Sequence, residues 1–342
     1  MERALHLGVA GATGLVGGEF LALLEKRRFP LASLRLFASA RSVGRRLRWG
    51  AGEIAVEDLA TADPRGLDVL LCSAGKRVAA EQAPRFAAAG AIVIDNSSAF
   101  REDPAVPLIV PEVNGARLRD WLAGARSGAT LARGGIIANP NCTTIVLLLP
   151  LDALRRAFGL EEVVVSTYQA VSGAGREARD ELLGQARAFS LGEPETWRHY
   201  DRPIFLNVIP KIGDWVGADC FEEVKVVRET RRILGAPDLR LYATTVRVPV
   251  ERCHSASVFA RLGRPATEVE VREALAGAPG VALEDLPTPR ELARREEVFV
   301  GRIRVGPDDG RVVRLWIVSD QLWKGAALNA IQIAERIAAD GG

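Results

Sequence analysis

The chain opens on an apolar run, Leu5–Ala10, followed at once by glycines and then by Leu15, Phe20, Leu21, Leu23 and Leu24 at helical spacing. A short continuous apolar run bounded by a turn signal predicts a buried strand, and the i, i+3/i+4 spacing predicts an amphipathic helix over Leu15–Lys26. The alternation continues, with strands expected at 33–37, 67–72 and 91–95 and an alanine-rich helix at 77–89. Strands alternating with helices predict an α/β domain built on a doubly wound parallel sheet of Rossmann type.

Beyond about residue 140 the apolar segments grow longer and more β-branched. Residues 163–171, 240–248, 255–262, 298–305 and 312–318 read as strands, and 177–189, 219–234 and 269–276 as helices. Strands in succession with few helices between them predict an α+β second domain with a mixed or antiparallel sheet. The closing segment 324–338 carries Ala327, Leu328, Ile331, Ala334 and Ile337 on one helical face and is expected to dock on the first domain. The expected division is therefore 1–140 with 322–342, and 141–321. Residues 118–134, rich in Gly, Ala and Arg, read as a surface insertion.

Composition narrows the class. In 342 residues, 48% are hydrophobic and 26% charged, the balance of a globular chain long enough for two cores. A formal net charge of +2 gives no field that would draw nucleic acid or an acidic membrane. The longest apolar run, 145–150, is far short of the ~20 residues a spanning helix needs. The first strand runs directly into a glycine-rich turn, so no secretory signal is expected. Four cysteines without metal-ligand spacing predict free thiols in a reducing cytoplasm and no metal site.

Two places carry candidate chemistry. In the first, Gly8-Val9-Ala10-Gly11-Ala12-Thr13-Gly14-Leu15-Val16-Gly17 lies between a strand and a helix. Gly11 and Gly14 suit the approach of a pyrophosphate, and Gly17 suits close helix–strand packing. A purely structural glycine turn is the alternative. The second strand ends in Phe37-Ala38-Ser39-Ala40-Arg41-Ser42, without the acid that holds a ribose 2′-hydroxyl in NAD enzymes. Arg41, with Ser39 and Ser42, suits a 2′-phosphate, which predicts NADP. Ser73, Ala74 and Gly75 follow the third strand and Asn96 the fourth, where the carboxyl ends of parallel strands face a ligand.

The second place is Asn139-Pro140-Asn141-Cys142-Thr143-Thr144, which precedes a long apolar helix. A cysteine at a helix N-terminus has its thiolate favoured by unpaired amides and the dipole. Those amides, with Asn141, suit an oxyanion. An inert buried cysteine is the bland alternative. A nucleophilic cysteine needs a partner, and the chain has three histidines. His6 falls inside the first strand and His199 in a loop, which leaves His254 by elimination.

These segments occur together in an order that resembles the aspartate-β-semialdehyde dehydrogenase family. The residues carrying the resemblance are Gly11-Ala12-Thr13-Gly14, Asn96 through Arg101, Val110 through Asn114, Asn139 through Thr144, Tyr168 through Gly175, Glu222-Glu223-Val224-Lys225, Arg247 through His254, and Asp320 through Ala327. The resemblance implies an NADPH-dependent reduction of aspartyl-β-phosphate through a cysteine thioester, in lysine, methionine and threonine biosynthesis. It implies Cys142 as nucleophile, His254 as acid/base and Gln169 as a residue orienting the acyl group. It assigns the substrate carboxylate to Arg247, its ammonium to Glu222, and its phosphate to Arg101 and Lys225. Ser172, Gly173, Asn96 and Gln321 match positions near the nicotinamide. The second domain would carry catalysis and dimerisation, in a homodimer or homotetramer. The rival readings are an N-acetyl-γ-glutamyl-phosphate reductase-like enzyme, whose cysteine usually sits in a Gly-Cys-Tyr setting, and a non-catalytic NADP-binding homologue.

Overall fold

A computed structural model describes residues 3–127, 130, 131 and 134–340. The chain forms two compact units, Met1–Pro140 with Ala326–Gly342, and Asn141–Gly325.

The first unit begins with β1 (Leu5–Ala10), α1 (Leu15–Lys26), β2 (Leu31–Ala38), β3 (Arg46–Trp49), β4 (Gly52–Asp58), β5 (Val69–Cys72), α2 (Lys76–Ala88) and β6 (Ile92–Asp95). It continues through α3 (Pro111–Ala125), the two-residue strands β7 (Arg126–Ser127) and β8 (Thr130–Leu131), and β9 (Gly135–Ala138). Seven strands form one sheet in the order β3-β4-β2-β1-β5-β6-β9, parallel except for the β3–β4 hairpin. Leu7, Val9, Val69, Leu71 and Ile92 to Ile94 are fully buried, because a parallel sheet is covered on both faces and its central strands are apolar throughout.

Two features depart from the sequence expectation. The β3–β4 hairpin was not anticipated, since its alternating Arg46, Leu47, Arg48 and Trp49 lie at a solvated edge without a buried run. The segment 118–134 is not simply an insertion. Residues 118–125 complete α3, and Leu118 and Leu122, spaced i, i+4, are buried. Residues 128, 129, 132 and 133 lie outside the described residues. A closing helix, Leu328–Asp340, preceded by a wide π turn over Trp323–Ala327, packs on α1 and α3. An Arg27–Glu335 ion pair at 2.6 Å and a Gln332–Glu112 hydrogen bond at 2.9 Å fix it there.

The second unit comprises α4 (Cys142–Phe158), β10 (Leu160–Gln169), α5 (Arg176–Leu191), β11 (Trp215–Val216), β12 (Asp219–Cys220) and α6 (Phe221–Leu234). After them come β13 (Arg240–Arg247), β14 (His254–Leu262), α7 (Glu268–Ala276), β15 (Val281–Leu283), β16 (Val298–Val305) and β17 (Val312–Ser319). Six strands form a mixed sheet in the order β13-β10-β14-β17-β16-β15. Side chains alternate along β10: Val163, Val165, Thr167 and Gln169 point into the unit, while Val164 and Tyr168 are exposed on the other face. α4 packs on the inner face beside α6 and α7, with Ile145 to Leu149, Leu151 and Leu154 buried.

Register gathers the chemistry at one end of this sheet. β10 and β13 run parallel with Gln169 opposite Arg247 at their carboxyl ends. β14 runs the other way and pairs Ser255 with Tyr168, so His254 enters at the same end.

Candidate active site

Cys142 is the first residue of α4. Its predecessor Asn141 is the N-cap, and the Asn141 Oδ1 accepts from the Thr143 and Thr144 amides at 2.9 and 3.2 Å. Asn141 is held from two further directions. Its amide donates to Glu229 Oε2 at 2.6 Å, and its Nδ2 donates to Glu222 Oε1 at 3.0 Å. Glu222, Lys225 and Glu229 stand at i, i+3 and i+7 on one face of α6. Glu229 was not singled out in the sequence; its spacing from Glu222 on an amphipathic helix was the available signal.

The Cys142 Sγ lies 3.5 Å from His254 Nε2, although the two are far apart in sequence. The Ala170 amide donates to His254 Nδ1 at 3.1 Å. That bond assigns the lone pair to Nδ1 and, in the neutral ring, the hydrogen to Nε2, on the side of the thiol. Burial lowers the His254 pKa to about 3, with the Arg247 charge acting in the same direction and Glu222 opposing them. The ring is therefore neutral near pH 7. His6 pairs with Ser33 at an exposed position, and His199 is an exposed loop residue.

Ala170 also accepts, through its carbonyl, a hydrogen bond from Arg247 Nη1 at 2.6 Å. One residue thus orients both the imidazole and the guanidinium. Arg247 is buried, and its Nε has no partner. The Gln169 amide is fixed at both ends, its Oε1 accepting from Thr167 Oγ1 at 3.0 Å and its Nε2 donating to Glu222 Oε1 at 3.2 Å. Glu222 also pairs through Oε2 with Lys225 Nζ at 2.5 Å. Burial would raise the Glu222 pKa, but Lys225 and the hydrogen bonds from Asn141 and Gln169 outweigh it and hold the carboxyl down at about 2. Glu222 is an anion with its donors already in place.

Ser172, Gly173 and Gln321 belong to the same unit. Gln321 Nε2 donates to Ser172 Oγ at 2.7 Å, and its Oε1 accepts the Cys253 amide at 2.8 Å. Ser172 Oγ donates in turn to the Glu251 carbonyl at 2.5 Å. This chain of bonds holds Cys253 in a left-handed conformation, φ 72°, immediately before His254. The Cys253 thiol itself packs among Leu292, Phe299 and Val318, and burial raises its pKa. Two glycines crowd the reacting groups. A Cβ on Gly325 would come within 3.0 Å of the Cys142 Cβ. A Cβ on Gly173 would meet His254 Cε1 at 2.9 Å, Nε2 at 3.0 Å and Arg247 Nη1 at 3.3 Å. Gly173→Ala is expected to lower kcat by about tenfold or more through displacement of the imidazole, with the thermal midpoint little changed. Unaltered steady-state kinetics would show that the ring tolerates the methyl group.

The remaining cofactor candidates lie in the first unit, at the carboxyl ends of its strands. The Gly11 and Ala12 amides donate to the Phe37 carbonyl at 2.9 and 3.1 Å, which folds the loop against β2. Gly11 has φ +81°, and a Cβ there would stand 2.2 Å from the Ser73 carbonyl oxygen. A Cβ on Gly17 would stand 2.2 Å from the Gly11 oxygen. Gly14 is the N-cap of α1, so Leu15 and Val16 open that helix with amides directed at the loop. Ser39 caps a 3₁₀ turn, Ala40–Ser42, and Ser42 Oγ lies 3.5 Å from Thr13 Oγ1. Arg41 is exposed on that turn. Ser73, Ala74 and Gly75 follow β5, and Gly75 has φ +83°.

Asn96 follows β6 on a loop fixed by Ser97, which donates to both Asp95 oxygens. Both polar atoms of the Asn96 amide are buried without a partner. An orphaned amide at the carboxyl end of a Rossmann-type sheet fits the polar end of a dinucleotide. Arg101 is buried and donates from Nε to the Asn139 carbonyl at 2.9 Å and from Nη2 to the Asn96 carbonyl at 2.6 Å, so part of its guanidinium holds this loop.

Among the described residues, no group of His, Cys, Asp and Glu has the arrangement of a metal site, and no helix is long and apolar enough to cross a membrane.

Residues 6–121 match the family model described as "Semialdehyde dehydrogenase, NAD binding domain", and residues 151–324 match "Semialdehyde dehydrogenase, dimerisation domain". An aspartate-semialdehyde dehydrogenase of Mycolicibacterium smegmatis is 46% identical over 98% of this chain and 99% of its own length. The crystal structure of aspartate semialdehyde dehydrogenase II from Vibrio cholerae, complexed with ASA, superposes with a TM-score of 0.93 at 36% identity, covering 99% of each chain. The Candida albicans enzyme, solved with NADP, gives a TM-score of 0.77 at 26% identity, covering 98% of this chain and 99% of that one.

Proposed function

The chain belongs to the aspartate-semialdehyde dehydrogenase family, and from that premise we propose that it reduces aspartyl-β-phosphate to aspartate semialdehyde through a thioester on Cys142. The observation that carries the reading is Cys142, on the first turn of α4, at 3.5 Å from His254, with the buried Arg247 guanidinium held on the same residue, Ala170, that orients the imidazole.

In this reading the α4 N-terminus favours the thiolate, and His254 supports it as a hydrogen-bond donor from Nε2. The thiolate attacks the acyl carbon, the C–O bond to phosphate breaks, and Cys142 is left acylated. NADPH, when bound, supplies the hydride that reduces this thioester. His254 Nε2–H then faces the oxyanion of the tetrahedral state, with the Asn141-capped amides available as further donors. The C–S bond breaks, the aldehyde leaves and the thiolate is restored. The net reaction takes up one proton, which ends on the phosphate.

Substrate recognition follows from charge. Arg247 takes the carboxylate and Glu222 the ammonium, while Lys225 and Arg101 are assigned the phosphate. Glu222 and Lys225 neutralise each other until ligand charges replace that pairing. Gln169, held by Thr167, is oriented toward the acyl group. Gly11 through Val16, Ser73 to Gly75 and Asn96 hold the dinucleotide, and Ser172, Gly173 and Gln321 are assigned to its nicotinamide end.

The preference for NADP rests on Arg41, Ser39 and Ser42 at the end of β2, where no acid follows the strand. Arg41→Ala is expected to raise KM for NADPH about tenfold or more and to leave KM for NADH nearly unchanged; equal effects would remove the 2′-phosphate role. Cytoplasmic residence, a dimer, and a place in lysine, methionine and threonine biosynthesis go with the same reading. The outer face of the six-stranded sheet, with Val164, Tyr168 and Tyr242 exposed beside Trp316, is the surface a second copy would cover. Light scattering should give at least the dimer mass, and a monomer at micromolar concentration would refute it. The function itself is tested by phosphate-dependent oxidation of aspartate semialdehyde with NADP; no turnover would refute it.

A further inference from the structure

The stretch from Leu191 to His199 is largely exposed, and Tyr200 is where the loop turns inward. Its ring packs on a buried apolar cluster of Val171, Leu182, Ile204 and Ile209. Two of these residues flank Arg247. Ile209 is bridged to it by backbone hydrogen bonds of 2.8 and 2.9 Å, and Val171 follows Ala170, whose carbonyl accepts from Arg247 Nη1. The cluster therefore brings the phenol into the surroundings of the guanidinium. Burial raises the Tyr200 pKa, the Arg247 charge acts against that, and Glu181 adds to it, which agrees with the placement.

The Tyr200 hydroxyl is buried and has no hydrogen-bond partner. The Arg247 Nε is also buried and has none. Buried donors without partners are rare, because each has given up its hydration for nothing in return. Two such donors beside one apolar cluster call for a ligand that accepts twice. A guanidinium demands an anion, and a carboxylate offers two oxygens, one for the Arg247 Nε–H and one for the phenol. The same donors would stay unpaired against a substrate whose carboxylate is missing, which makes the pair a discriminator as well as a grip.

We propose that the Tyr200 hydroxyl shares the substrate's α-carboxylate with Arg247, so that Tyr200 is a specificity-determining residue for acyl phosphates and semialdehydes that bear a free carboxylate. The inference rests on the reading of this protein as an aspartate-semialdehyde dehydrogenase.

Tyr200→Phe keeps the ring in its cluster and removes only the hydroxyl. In the phosphate-dependent direction, KM for aspartate semialdehyde should rise about tenfold or more, the loss of one hydrogen bond to a charged group. The kcat and the KM values for phosphate and NADP should stay within about twofold, and the thermal midpoint should not fall, since no apolar contact is lost. With 3-aminopropanal, which keeps the ammonium and lacks the carboxylate, wild type and variant should have equal kcat/KM. An unchanged KM for aspartate semialdehyde, or a rise in all three KM values together, overturns the proposal. A wild-type enzyme that does not turn over aspartate semialdehyde refutes the proposed function instead, and the two failures are told apart by that single control.

Discussion

Cys142→Ala should bring turnover down by at least about four orders of magnitude, because no thioester can form and hydride has no acceptor of comparable reactivity. Cofactor binding should survive, since the glycine loop, the Arg41 turn and Asn96 all belong to the first unit. Stability should change little, because Cys142 is partly exposed and a small side chain remains at a position without φ strain. Titration with NADPH followed by fluorescence checks the binding. Aspartyl phosphate offered without NADPH should acylate the wild type, seen as an adduct by mass spectrometry, and leave the variant unmodified. Residual turnover within about a hundredfold of wild type would place the nucleophile elsewhere.

His254→Leu should lower kcat by about two to four orders of magnitude, since leucine has no hydrogen to donate at the position of Nε2. It also carries a signature that simple misfolding would not produce. The folded imidazole titrates at about 3, against 6.5 in the unfolded chain. Between those values the unfolded state binds one proton more, so the contribution of this ring to stability is complete above 6.5 and is lost as pH falls toward 3. The wild type should therefore lose up to about 1.4 kcal/mol per pH unit more than the variant across that window. Urea denaturation of both proteins at several values from pH 7 to 4 measures the difference. Parallel stability curves would mean that the ring takes up its proton without opposition in the folded protein, contrary to its burial beside Arg247.

The parts of the fold that were legible in the sequence are those where a single segment contains its own explanation. β1 and the glycines after it announce a Rossmann-type start because burial on both faces demands an unbroken apolar run. The strands of the second unit stand out through their β-branched length. The β3–β4 hairpin was not legible because an edge ribbon with one solvated face resembles a charged loop. The C-terminal half of α3 was obscured by Gly124 and its alanines, although the Leu118–Leu122 spacing was present. β10 ends at Gln169 rather than at 171, since Val171–Ala174 turns into a 3₁₀ segment where the chain must leave the sheet.

The site divides in the same way. Cys142 could be singled out because a cap, a cysteine and a helix are contiguous, and His254 because the chain offers few histidines. Ala170 and Tyr200 could not. An alanine has no side-chain chemistry to announce it, and the use of its peptide group depends on strands that are distant in sequence. Tyr200 sits in an exposed loop, and only the packing of its ring gives the hydroxyl a context. The network of Gln321, Ser172 and Cys253 is likewise a property of register: Gln321 follows β17, and β17 pairs His254 with Ser319.

Ala170 holds the hydrogen donor with its amide and the carboxylate grip with its carbonyl. Those two groups lie in successive peptide planes that meet at the Ala170 α-carbon, so recognition and chemistry in this protein share one hinge. A substrate that pulls Arg247 out of line also tilts His254, and discrimination is felt in kcat as well as in affinity. An evolving lineage could not drift toward acyl phosphates without that carboxylate by changing Arg247 alone. Removing the guanidinium would leave the Ala170 carbonyl without that donor beside the amide that orients the imidazole, which is a reason for such a specificity to persist once established.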